Sequence, residues 1–141
     1  YTRVDQNTLT FTDNTFVEGT KYYYAVKAYD AAGNQSARTS IIGVIPDQAP
    51  SKPGPLTGPL VNGKPWPTWG PAPDNYAVAG SIVSRSTNGS AGTEQARTSE
   101  LTWTDPSPIP GKKNTYNVRA YDAENNLGVR SNYVPVTVPA Q

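Results

Sequence analysis

The chain has 141 residues, 35% hydrophobic and 16% charged, with 12 basic and 11 acidic side chains that leave a formal net charge of +1. That balance gives no electrostatic reason to expect nucleic acid or an anionic membrane as a partner, and no apolar stretch approaches the roughly 20 residues that cross a bilayer. Cysteine, histidine and methionine are absent, which excludes disulfides, the usual zinc sites and Ser-His-Asp or Cys-His nucleophile arrangements within this chain.

The chain opens at Tyr1 with neither an initiator Met nor a signal peptide, so it reads as an interior or processed piece of a longer protein. Leu9 and Phe11 then alternate with Thr10 and Thr12, a period of two that predicts a strand with one buried face. "NTFVEGTK" supplies turn residues, and Tyr22, Tyr24, Val26 and Ala28 alternate with Tyr23, Ala25 and Lys27 as a second strand, closed by the turn "DAAGNQ". The proline-rich "IPDQAPSKPGP" at 45–55 predicts a stiff, extended joint. Pro65 and Pro67 fall in the next strand, where proline cannot donate to a ladder, so that strand is expected to be short or bulged near Trp66.

Shifting the sequence by 92 positions lays residues 1–40 on 93–132 without a gap, with 14 identities in 40. "LTFTD" at 9–13 meets "LTWTD" at 101–105, and Tyr24, Val26, Ala28, Tyr29 and Asp30 meet Tyr116, Val118, Ala120, Tyr121 and Asp122. Such a period governs the fold assignment. Short strands, turns every 8–12 residues and no helical pattern predict an all-β antiparallel sandwich. Its core is expected at Trp69, Val83, Leu101, Trp103, Tyr116, Val118 and Ala120.

"FVEGTKYYYAVKAYDAAGNQSA" resembles the E–F turn, F strand and F–G loop of a bacterial fibronectin type III domain. "APSKPGPL" is similar to the A strand of such a domain, Trp69 in "PTWGPAPDN" to its B-strand tryptophan, and "DNYAVAGSIVSR" to the lead into strand C. The resemblance implies an immunoglobulin-like sandwich, with residues 48–141 as a complete domain and 1–47 as the C-terminal half of another. Strands missing from 1–47 would come from upstream chain or from a partner. Three departures stand out: Asn114 replaces the tyrosine that opens strand F, which Tyr22 matches in the first copy; Ser81 replaces a strand-C aromatic; and the two prolines interrupt strand B.

Candidate chemistry is sparse. Asp13, Glu18, Asp30, Asp105 and Asp122 could in principle pair for glycosidic hydrolysis. Two of the positions recur with the repeat, which favours turn capping, since Asp accepts from backbone amides nearby. "NGSAG" at 88–92 lacks the lysine and helix of a phosphate loop. "PDNYA" and "YDAEN" carry too few carboxylates for calcium and read as surface turns. No cofactor and no metal are expected. Tyr23, Tyr29, Trp66, Tyr76 and Tyr121 are expected to face outward, and Trp66 and Tyr76, the least repetitive, are the candidates for glycan contact. The resemblance is to modules appended to secreted polysaccharide-degrading enzymes. It implies a non-catalytic, extracellular spacer that orients a domain elsewhere in the polypeptide. Carbohydrate binding and surface adhesion are the alternatives.

Overall fold

The computed structural model describes residues 2–140. All strand pairing is antiparallel and the described residues contain no helix. The chain divides into two compact units, residues 1–47 and 48–141.

In unit 2, β3 (Leu60–Val61) and β4 (Lys64–Pro65) form a small hairpin. The main sheet contains β5 (Val78–Ser86), β6 (Thr93–Thr98), β7 (Lys113–Asp122) and β8 (Val134–Thr137), in the order β6-β5-β7-β8. The opposing layer is a sparse ladder. Thr57 bridges Thr68, which bridges Thr102, and the amides of Trp69, Trp103 and Asp105 donate to Leu101, Pro67 and Pro65 respectively. Pro65 and Pro67 accept through their carbonyls but have no N–H to return, so alternate rungs on that side are lost. The strand expected to be short around Trp66 is therefore a two-residue strand followed by one bridging residue, Thr68. Its period of two survives: Pro65, Pro67 and Trp69 are buried while Trp66 is exposed.

Leu56, Trp69, Val83, Tyr116, Val118 and Val136 form the core, with Trp103 and Val134 packed against it. Ala120 is buried as expected. Leu101 is not: it is 43% exposed. It sits at the margin of the sparse layer, where its carbonyl takes the Trp69 amide and no further strand flanks it among the described residues. Ser81, in the place of an aromatic, is buried and accepts a 3.1 Å hydrogen bond from Trp69 Nε1. A strand-C ring would have filled that space, and the hydroxyl instead satisfies the indole N–H.

The expected joint at 45–55 needs correction over its second half. Ser51 and Gly54 donate to Pro73 and to Gly70 and Pro71, Pro50 and Pro53 are buried, and the Leu56 backbone is clasped by the Asn132 side-chain amide at 2.9 Å on both sides. These residues belong to the packed body of unit 2. A Cβ on Gly54 would lie 2.7 Å from the Gly70 Cα, so this close crossing requires glycine.

In unit 1, β1 (Tyr22–Tyr24) pairs only with β2 (Ile42–Val44). The segment at 9–12, expected as a strand, forms no ladder among the described residues. The ladder expected over 22–28 closes at Tyr24, apart from an isolated bridge between Tyr29 and Gln35.

Candidate functional site

Four of the five candidate carboxylates are turn anchors, and one of these also belongs to a buried cluster. Asp13 Oδ1 accepts from the Thr15 amide at 2.8 Å, and Asp105 Oδ1 from the Ser107 amide at 2.9 Å. Asp30 and Asp122 each hold the amide and side-chain nitrogen of the asparagine four residues on, Asn34 and Asn126, at 2.7–2.9 Å. Gly33 and Asn125 occupy the left-handed region in those turns, at φ +88° and +66°, a conformation glycine and asparagine tolerate best. Hydrogen bonds from Thr15 and its amide hold the Asp13 carboxyl below its usual range, and those from Asn34 do the same for Asp30. Glu18 lies exposed in the 18–19 turn.

The same wiring recurs around the strand-F position. In unit 1 the Val17 amide donates to Tyr22 Oη at 2.9 Å, and in unit 2 the Ile109 amide donates to Asn114 Oδ1 at 3.1 Å. Asn114 Nδ2 also returns bonds to the Ile109 and Lys112 carbonyls. The shorter amide thus reproduces the tie a tyrosine makes, and does so fully buried.

A buried ion pair lies inside unit 2. Asp105 Oδ2 accepts from Arg85 Nη1 at 2.6 Å and from Tyr116 Oη at 2.5 Å, and Arg85 Nη1 also reaches the Ser107 carbonyl at 2.7 Å. Arg85 carried no signal in the sequence because the repeat, over 93–132, does not extend to it. A carboxylate, a guanidinium and a phenol could serve acid–base chemistry in a cleft, but Asp105 and Tyr116 are completely buried. Their geometry saturates the carboxylate with donors, which is what a buried charge requires in order to be tolerated.

Burial, then the bond to Asp105, pushes the Tyr116 hydroxyl up from 10.0. A phenol whose folded value is raised stabilises the fold below its unfolded value near 10, and that contribution is lost as pH rises through the folded value. Above pH ~10 stability should therefore fall by up to about 1.4 kcal/mol per pH unit from this group. Urea melts of wild type and Tyr116→Phe between pH 9 and 11.5 check this. An equally steep loss in the phenylalanine variant would contradict it.

Among the aromatic candidates, Tyr23, Tyr29, Trp66 and Tyr76 are exposed. Tyr121 is only half-buried: the Arg97 guanidinium lies 5.0 Å from its ring centroid, and its hydroxyl abuts Gly80. Trp66 follows β4 and Tyr76 lies in the loop before β5. Neither lines the open cleft of unit 2, which is bordered by Thr87, Asn88, Lys113, Thr115 and Tyr133.

Comparison with known proteins supplies the fold's name. No protein-family model matches the sequence. An Fn3-like protein from Clostridium thermocellum superposes with a TM-score of 0.53 at 23% identity, over 67% of this chain and 96% of that one. The fold is fibronectin type III. Domains d3–d4 of the rat CD45 extracellular region match with a TM-score of 0.61 at 14% identity, over 98% of this chain and 74% of theirs. In sequence, the chain is 33% identical over 140 residues to exoglucanase B of Cellulomonas fimi. That match takes in 92% of this chain but only 12% of the exoglucanase. On the fibronectin type III frame, Asn114 occupies the strand-F tyrosine position and Ser81 the strand-C aromatic position, and both departures are locally satisfied.

Proposed function

We propose that the chain is a non-catalytic fibronectin type III spacer or accessory segment of a secreted or cell-surface bacterial protein acting on polysaccharide. In this reading it orients a catalytic or binding domain located elsewhere in the same polypeptide. The observation that carries the reading is the match to exoglucanase B, which spans 92% of this chain yet 12% of that enzyme. A stretch of this kind is thus a minor part of a much longer glucanase. The use of the carboxylates supports it: four of the five candidates anchor turns or a buried cluster, and in the Arg85–Asp105–Tyr116 cluster the carboxylate and the phenol are fully buried.

Deleting the segment from its parent should lower activity on insoluble polymer and leave activity on a small soluble substrate nearly unchanged. A spacer controls reach to a surface, and a diffusing substrate needs no reach. Equal losses on both substrates would refute the spacer reading. Retention of the isolated chain on cellulose or chitin, abolished by Trp66→Ala or Tyr76→Ala, would replace it with a glycan-binding one, since a stacked aromatic anchor carries a disproportionate share of binding energy.

A further inference from the structure

The two faces of the main sheet in unit 2 differ in how their charge is met. Val83 and Val118 pack in the core, so the residues alternating with them on β5 and β7 form the outer face. Arg97, Ile82 and Arg119 share one rung across β6, β5 and β7. The segment carrying Arg130 runs beside β7, since the amides of Gly128 and Ser131 donate to Ala120 and Val118. Arg97 is paired with Glu94 at 2.9 Å and lies over the Tyr121 ring. Arg119 and Arg130 have no carboxylate partner among the described residues, and each Nε is shielded from solvent without an acceptor. Burial, then the Arg130 charge, holds the Arg119 guanidinium below its usual value. Along the same face of β7, Asn117, Thr115 and Lys113 follow at two-residue steps, which places Lys113 about 20 Å from Arg119. Lys113 and Thr115 border an open cleft of about 500 Å³ with Thr87, Asn88 and Tyr133. Tyr133 is 45% exposed.

We propose that this outer face binds a carboxylate-bearing polysaccharide, a polyuronate, with Arg119 and Arg130 gripping one carboxylate and the cleft at Lys113 and Tyr133 holding a sugar further along the polymer. Neighbouring guanidiniums without a protein counter-ion repel one another. An oxyanion taken between them by charge-assisted hydrogen bonds removes that repulsion. The cleft supplies what a sugar's apolar face and hydroxyls require: the Tyr133 ring, the Thr87 and Thr115 hydroxyls and the Asn88 amide. Lys113 adds a second, separate cation. The spacing selects the polymer. Cations about 20 Å apart, with uncharged polar groups between them, suit a chain whose charges are spread among hydroxyls. Duplex nucleic acid, with one charge per ~1.7 Å of axis, would leave most of its charge unmet there. The choice of a polysaccharide rests on the reading of the chain as part of a protein acting on polysaccharide, whereas the oxyanion site rests on the guanidinium pair alone.

The test titrates the full chain with a polygalacturonate oligomer at low ionic strength and follows backbone amide chemical shifts. Residues 113–119 and 130–133 should shift with saturation. Combining Arg119→Gln with Arg130→Gln should weaken binding at least about tenfold, and Tyr133→Ala about tenfold. A cello-oligosaccharide, which carries the hydroxyls without the carboxylates, should leave those amides unmoved. Arg119→Gln removes one of two repelling charges, so its urea midpoint should equal or exceed that of wild type, and its lost binding then reports on the site rather than on folding. No shift on this face, or wild-type affinity in the double variant, would overturn the proposal. Equal affinity for poly-glutamate or dextran sulfate would overturn it too, because charge alone would then account for binding. A null result here leaves the spacer reading standing, since deletion from the parent tests that reading through reach to an insoluble surface.

Discussion

Replacing Trp69 with alanine should destabilise unit 2 by about 3–5 kcal/mol, most of the stability of a domain this size. The indole lies in the core cluster with Leu56, Val83, Tyr116, Val118 and Val136, and its N–H is held by Ser81 Oγ. Truncation removes the apolar contact, opens a cavity between two rigid layers, and leaves the Ser81 hydroxyl buried without its donor. Few neighbours can collapse inward, because the strand bearing Trp69 is pinned to Leu101 and, through Thr68, to Thr57. Tyr121→Ala should cost about 1 kcal/mol, since that ring is half-buried and lies against Gly80 and the Arg97 guanidinium outside the core cluster. Urea midpoints of the two variants at constant slope separate the cases, and equal shifts would contradict the assignment of Trp69 to the core and Tyr121 to the outer face.

Asp105→Ala is expected to cost a similar amount, about 3–5 kcal/mol, for an electrostatic reason. The substitution strands the Arg85 guanidinium, whose side chain is only 14% exposed, and leaves the Tyr116 hydroxyl without its acceptor. It also frees the Ser107 amide that shapes the following turn. The loss therefore comes from uncompensated polar groups left behind, and the pair itself need not be strongly stabilising. Adding Arg85→Met to Asp105→Ala should recover part of the loss, because the buried charge disappears with its partner. A double variant as unstable as the sum of the two singles would show that the guanidinium plays another role.

The two strand-F segments show where local sequence stops deciding structure. "YYYAV" and "NTYNV" share the same inward residues at the repeat spacing, yet one forms a 3-residue strand and the other runs 10 residues. A ladder ends where its neighbour ends, and only β7 has β5 alongside. Leu101 makes the same point in reverse. Its alternation with Trp103 signals burial, but burial needs atoms packed over the side chain, and Leu101 is left 43% exposed.

Alternation, turn chemistry and the 92-residue repeat are short-range signals, and they suffice for the all-β antiparallel class, the turn-anchoring role of Asp13, Asp30, Asp105 and Asp122, and the inward set Trp69, Val83, Tyr116 and Val118. Tertiary structure decided the rest. Arg85 and Asp105 are 20 residues apart and meet only when the end of β5 lies against the connection between β6 and β7. Asn132 and Leu56 are 76 apart and meet only across the two layers. Residues 50–56 look like linker by composition and become part of the body because Gly54 and Gly70 allow two backbones to cross in contact. Each of these contacts depends on which strand lies opposite which, a long-range property that no window of neighbouring residues encodes.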